Sequence, residues 1–232
     1  MDFGKAFTFM FEDPDWVRKL GIGTILTLIG VLFISFLIGI LPLLVVTGYT
    51  VQVVRNVMMR RERPLPEWND MGQLLGEGFK IFLATLVWLL PVLVLMIPIT
   101  VSAIMMDQNG RGMEAIGVPI MICGYCLVIL WSLFVALMTP AIYARIAATG
   151  RIASAFELGR MWAFTRDNLG NIIVAILLGI VAGFIAGIGA MLGLIALIIG
   201  VLVTIPLASL WQMLVNAHLY GQIAGASVSP IE

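Results

Sequence analysis

The chain has 232 residues, of which 61% are apolar or aromatic and 11% charged, and its mean hydropathy is +1.09. A soluble domain carries about 25% charged residues, so soluble, disordered and fibrous architectures are excluded and an all-α polytopic membrane protein remains. Thirteen basic residues against thirteen acidic ones leave no net attraction for nucleic acid, and two cysteines with one histidine supply neither a disulfide framework nor a multi-histidine metal site.

Phe3, Phe7, Met10 and Phe11 open the chain at helical spacing, a short amphipathic segment expected to lie in the membrane interface or to dock on the protein's own helices. Asp2, Glu12, Asp13 and Asp15 precede an apolar run longer than the core of a cleavable leader, so the first span is expected to remain as an anchor. Uncharged runs then cover Leu20–Val54, Ile81–Met106, Ala115–Ala144 and Asn168–Ile231, with 35, 26, 30 and 64 residues. About 20 helical residues cross a hydrocarbon core of roughly 30 Å. The middle two runs are therefore single crossings, and the last is a hairpin with its turn expected near Gly187–Gly193. Gly39-Ile40-Leu41-Pro42 divides the first run, because Gly39 can end one helix and Pro42 suits the first turn of the next. The first helix is expected from about Pro14 to Gly39 and the second from Pro42 to about Arg61, with Arg55 snorkelling toward the headgroups.

Six crossings put twelve of the thirteen basic residues on one side and leave Arg111 alone on the other, whereas five crossings would divide them nine to four. The positive-inside rule favours six, with both termini cytoplasmic and the chain in the cytoplasmic membrane. Two more amphipathic stretches precede the later hairpins. Met71, Leu74, Leu75 and Phe79 follow Asp70 and Gln73, a variant of the capping box, and Ile152, Ala155, Phe156, Trp162 and Ala163 stand among Arg151, Glu157, Arg160 and Arg166. The second helix of each pair carries a proline, Pro42, Pro140 or Pro206, so one membrane domain over 1–232 divides into candidate units 1–62, 63–148 and 149–232.

Asp13-Pro14-Asp15-Trp16 with Lys19, then Gly48-Tyr49 and Arg55, then Leu65-Pro66-Glu67-Trp68 and Gly76-Glu77-Gly78-Phe79-Lys80, together resemble the prokaryotic membrane family catalogued as domain of unknown function 4013. The resemblance implies a bacterial or archaeal multi-pass protein and brings no catalytic residues with it. Read physically, Asp13 caps a helix whose first residue is Pro14, and Trp16 sits at headgroup depth. Pro66 and Trp68 re-enter the interface after the cluster Arg60, Arg61, Glu62 and Arg63. The alternative for Pro66, Glu67, Trp68 and Asp70 is a cytoplasmic loop that docks a protein partner.

Cys123 and Cys126 lie one turn apart in an uncharged run, without the further ligands zinc needs, and read as small buried apolar residues, with a redox or metal pair as the alternative. Ala175, Gly179, Gly183 and Gly187 form a small-residue groove on the fifth helix, suited to packing within the chain or to a homo-oligomer. Gln52 and Asn56 near the end of the second helix, with Gln212, Asn216 and His218 on the sixth, form a candidate polar cluster if those helix ends meet. Inter-helix hydrogen bonding explains such residues, and a solute or proton site is the alternative. Pro91 and Pro98 are expected to kink the third helix or open its backbone bonds. No charged residue falls centrally in any expected span, and no nucleophile elbow, zinc-protease pair or phosphate-binding loop is present. The sequence therefore points to a non-catalytic accessory or scaffold without a cofactor, binding partners or lipids at its cytoplasmic interface. A small-solute permease or channel component and a membrane-shaping protein are the alternatives.

Overall fold

The computed structural model describes residues 1–109, 114–195 and 197–227, and among them the regular structure is entirely helical. The helices are α1 (Phe3–Thr8), α2 (Trp16–Leu32), α3 (Ile40–Met58), α4 (Met71–Asn109), α5 (Glu114–Thr149), α6 (Leu158–Asp167), α7 (Leu169–Ile195) and α8 (Leu197–Ala226). Five of them, α3, α4, α5, α7 and α8, are long and apolar enough to cross a membrane. The shorter α2, with 17 residues, rises about 26 Å.

α3 is the central helix. It packs on α2, α4, α5 and α8 and buries Val46, Tyr49, Val51, Val53 and Val54 among them. Its crossing with α4 runs through two glycines. A Cβ on Gly48 would stand 1.8 Å from the Leu74 carbonyl oxygen, and one on Gly78 would stand 1.8 Å from that of Leu44. In lipid, helices gain no hydrophobic free energy by leaving apolar surroundings, so close backbone approach of this kind carries the association.

Several boundaries differ from the sequence expectation. The first helix ends at Leu32 rather than Gly39, because a 3₁₀ turn at Ile34–Phe36 and Leu37 in the left-handed region (φ 60°) reverse the chain early. The amphipathic stretch after Asp70 is no separate in-plane helix. It is the opening of α4, which runs 39 residues, about 58 Å, because nothing between Phe79 and Ile81 breaks the helix. Asp70 does cap that helix, accepting the Gln73 N–H at 2.8 Å. α4 continues through Pro91 and Pro98 without a break. The expected turn at Gly187–Gly193 is also absent, since α7 continues to Ile195 and the division from α8 falls at 196, outside the described residues. Gly193 serves close packing instead, for its Cβ would meet Thr204 Oγ1 at 2.0 Å. Arg111, expected alone on the opposite side, also lies outside the described residues.

α1 docks on α8 and buries Ala6, with Phe9 and Met10 of the following 3₁₀ turn, while Phe3 and Phe11 stay exposed. α6 likewise buries Met161 and Phe164 but exposes Leu158 and Trp162. The Asp2 N–H donates to Gln222 Oε1 at 2.7 Å, and Gln222 Nε2 donates to the Asp2 carbonyl at 2.8 Å. The start of the chain and the last turns of α8 therefore share one end of the bundle. The other ends of α4 and α5 pack mainly on each other and expose a continuous aliphatic surface.

The crossing predicts that Gly48→Ala separates α3 from α4. Thermal unfolding in detergent should show a loss of about 2 kcal/mol or more, as overpacking against rigid backbone requires. Gly76→Ala, whose Cβ meets nothing within 4 Å, should unfold like the wild type.

Candidate functional site

Charged and hydrogen-bonding groups gather at the end of the bundle that holds the chain's start. The Lys19 ammonium, one turn into α2 and only 5% exposed, lies 2.8 Å from Asp13 Oδ2 and 2.8 Å from Glu67 Oε1, and donates to the Leu65 carbonyl at 3.3 Å. Arg18 Nη2 reaches Glu67 at 2.8 Å. Trp68 Nε1 donates to the Lys19 carbonyl at 3.0 Å, while its ring stacks on Tyr49 with centroids 4.0 Å apart. The Tyr49 hydroxyl donates to the Pro66 carbonyl at 3.0 Å, and Asn56 Nδ2 to that of Pro64 at 2.9 Å. These bonds hold the linker from α3 to α4 down on α2 and α3. Pro66 and Trp68 are buried in it, Glu67 is paired, and Asp70 caps α4, so the candidate docking loop is an internal strut of the fold.

Burial opposes ionisation of Asp13, but hydrogen bonds from Lys19 and the Asp15 N–H, with the positive fields of Lys19 and Arg63, hold its carboxyl below the usual value of 3.8. The Lys19 hydrogen bond, against some desolvation and helped by the positive charge of Lys19 and Arg18, likewise holds Glu67 below 4.5.

Two further ion-paired clusters, around Glu77 and Glu157, lie at this end. Arg55 does not snorkel outward. Its Nε donates to the Ala147 carbonyl at 2.7 Å at the end of α5, and its Nη2 pairs with buried Glu77 at 3.1 Å, which also holds Lys80 at 3.3 Å. Arg145, 2% exposed, donates through Nε to the Ser154 carbonyl at 3.1 Å and pairs with Glu157, which Arg160 approaches at 3.1 Å. Gly150 (φ 67°) turns the chain back after α5 so that Ser154 and Glu157 can meet Arg145.

Between the linker and the ends of α3 and α4 lies a polar cavity of about 450 Å³, lined by Gln52, Arg55, Asn56, Arg61, Arg63, Glu67, Asp70 and Gln73 among others. α3 ends in a Schellman arrangement, with Arg60 in the left-handed region, the Arg60 N–H on the Val57 carbonyl and the Arg61 N–H on that of Asn56. This cap delivers Arg61 to the cavity wall. Among the described residues Arg61 and Arg63 have no ion-pair partner, whereas Arg55 and Glu67 are paired and Asp70 is committed to capping.

The five polar residues expected to converge do not. Gln52 and Asn56 line this cavity. Gln212 and Asn216 turn to α7, where a Cβ on Gly183 would meet Gln212 Nε2 at 2.7 Å and one on Gly179 would meet Asn216 Oδ1 at 2.7 Å. His218 faces the other way, stacked on Phe9 with centroids 4.4 Å apart and 2.9 Å from Gln222 Nε2. The reason is helical phase: His218 is two residues beyond Asn216 and so projects from a different side of α8. The stripe on α7 is used within the chain at Ala175, Gly179 and Gly183, while Gly187 is exposed with nothing near its Cβ position. Cys123 and Cys126 are not buried as expected but are exposed free thiols, on the part of α5 that presents an aliphatic surface.

Sequence reasoning missed the buried partners Lys19, Glu77 and Arg145. The available signals were the six-residue interval from Asp13 to Lys19, the Glu77–Lys80 spacing, and the position of Arg145 directly against the uncharged run before it.

A family model described as "Protein of unknown function (DUF4013)" matches residues 31–195, and the chain belongs to that family. The match takes in Gly48-Tyr49, Arg55, the Leu65–Trp68 element and Gly76–Lys80, and leaves Asp13–Lys19 and α8 outside. No curated protein and no solved structure gives a significant match.

Both carboxylates on Lys19 are held below their ordinary pKa. Their contribution is therefore complete above the ordinary carboxylate range and is lost as pH falls through the depressed values. The melting temperature in detergent should fall as pH drops below about 4. Lys19→Met should cost about 3 kcal/mol by stranding buried Asp13 and should make that acid slope shallower.

Proposed function

We propose that this DUF4013 member is a non-catalytic accessory protein of the cytoplasmic membrane whose basic cavity holds acidic phospholipid headgroups at the cytoplasmic face. The observation carrying the reading is the pair Arg61 and Arg63, neither in an ion pair among the described residues although the field of Arg63 reaches Asp13, on the wall of a cavity that also presents the Gln52 and Asn56 amides. Guanidinium groups bind phosphate oxygens in a planar, bidentate manner, and basic groups beside a span are drawn to anionic leaflets by about 1 kcal/mol each. Glu67 and Asp70, the carboxylates of the cavity, are already engaged, which favours holding a group over acid–base work on it.

The placement in the membrane rests on three supports. Asp2 bonded to Gln222 supports an even number of crossings between them, with α2 added to the five longer helices. α2 exposes Val17, Ile25, Ile29, Val31 and Leu32, an apolar face suited to lipid. The helices then form three hairpins, α2/α3, α4/α5 and α7/α8, with twelve of the thirteen basic residues on the side of the chain's start. In this reading α1 and α6 lie in the interface plane and turn Phe3, Phe11, Leu158 and Trp162 to the acyl region.

A thermal-shift titration of the purified protein tests the proposal. Phosphatidylglycerol should raise the melting temperature by several degrees, as about 2.7 kcal/mol of linked stabilisation at a hundredfold excess over Kd implies. Phosphatidylcholine should do much less. Arg61→Gln/Arg63→Gln should keep the lipid-free melting temperature and lose the difference between the two lipids. An equal response to both lipids, or a double variant that still distinguishes them, would overturn the reading.

A further inference from the structure

Gln212 and Asn216 lie one turn apart on α8, and neither amide has a hydrogen-bond partner among the described residues. No side-chain nitrogen or oxygen among those residues is both buried and unpaired. The two amides must therefore present their polar atoms to open space. That space is a cleft of about 280 Å³ between α5, α7 and α8, with Ala136 and Thr139 on one wall and Gly179 and Ile180 on the other. A smaller cavity of about 100 Å³ shares Thr139, Asn216 and Tyr220 with it and extends inward to Thr50 and Tyr143.

The cleft lies deep along the bundle. Gly179 is ten residues from the start of α7, Thr139 ten from the end of α5 and Asn216 ten from the end of α8. All three thus stand about 15 Å from the polar end. Hydrocarbon tails cannot hydrogen-bond an amide, so a polar pair at that depth requires a polar occupant. No charged side chain lines either cavity, so a phosphate, carboxylate or ammonium head would find no counter-charge there. The amides offer both donors and acceptors, and the Thr139 hydroxyl, which donates to the Val135 carbonyl at 2.9 Å, keeps acceptor capacity. α5 and α7 barely touch, which leaves an exit to the bilayer beside exposed Leu133, Ile173 and Ile180.

We propose that this cleft binds an uncharged amphiphilic lipid, its small hydroxyl- or carbonyl-bearing head on Gln212 and Asn216 and its chain leaving between α5 and α7. The site is separate from the basic cavity, so either proposal can fail alone.

The test uses the full chain in phosphatidylcholine vesicles containing a diazirine-bearing diacylglycerol, with the labelled residues mapped by mass spectrometry. Label should concentrate on Ala136, Ile176 and Ile180. Gln212→Leu/Asn216→Leu, which keeps the shape and removes the hydrogen bonds, should lower it about tenfold. Ala136→Trp fills the mouth without touching the amides and should lower it too, so the proposal stays testable if the double variant does not fold. A diazirine-bearing phosphatidylcholine should not concentrate there. Equal labelling by both probes, label spread evenly over α4 and α5, or undiminished labelling of the variants would overturn the proposal. It would also fall if Ile180→Cys, in a Cys123→Ser/Cys126→Ser background, links two copies efficiently while the lipid probe fails, for the cleft would then be an interface between copies.

Discussion

The Lys19 ammonium is a positive charge buried in the first turn of an apolar helix, and the surrounding chain is arranged to make that position tolerable. Alone it would be prohibitively costly to bury. With Asp13, Glu67 and the Leu65 carbonyl around it, it fixes three stretches of chain in one register. The other contacts follow from that geometry. Once Glu67 is held at Lys19, Trp68 lies over Tyr49, the Pro66 carbonyl comes within reach of the Tyr49 hydroxyl, and α4 must start beside α3. Only then do Gly48 and Gly78 face each other closely enough for the helices to meet along their backbones.

The same device recurs along the chain. Arg55 with Glu77 ties α3 to α4 and, through the Ala147 carbonyl, to the end of α5, and Arg145 with Glu157 ties α5 to the segment before α6. Each pair joins a helix end to the stretch that follows a reversal, where backbone groups need partners and water is scarce. Specific contacts thus concentrate at one end of the bundle, while the far halves of α4 and α5 present aliphatic side chains that lipid serves as well as protein would. The chemistry proposed for this protein sits where the charge pairs leave something over: two arginines in no ion pair and two amides in no hydrogen bond among the described residues.

Much of this was legible as pattern. The helical membrane class, the cap at Asp70 and the start of a second helix just after Gly39 all follow from composition and local signals, because each is decided by neighbours in sequence. What could not be read depends on long-range pairing. Asp13 and Glu67 look like surface charges until Lys19 brings them together across the 53 residues between them. The groove at Gly179 and Gly183 is legible in the four-residue spacing, but that Asn216 and Gln212 fill it is not, because they lie on another helix. His218 was grouped with those amides by proximity in sequence, and helical phase separates them.

The early end of α2 has a physical cause that extends the membrane reading. Residues 33–39 read Phe-Ile-Ser-Phe-Leu-Ile-Gly, with Ser35 the lone polar side chain, so on the six-crossing reading this reversal lies in the apolar layer. A turn left in hydrocarbon must satisfy its own backbone. It does so with a run of short-range bonds: Phe36 N–H to the Phe33 carbonyl, Leu37 to Ile34, Gly39 to Phe33 and Ile40 to Leu37, each between 3.0 and 3.1 Å. That closure requires Leu37 to take a left-handed conformation and Gly39 to lie against the Gly30 carbonyl, where a Cβ would intrude to 2.2 Å. A run of 35 uncharged residues can thereby make two crossings, because seven of them turn without needing water. On the six-crossing reading, the α2/α3 hairpin is shorter than α4/α5 because its turn stays within the apolar layer, and the exposed Phe33, Phe36, Leu37 and Ile38 are the surface that keeps it there.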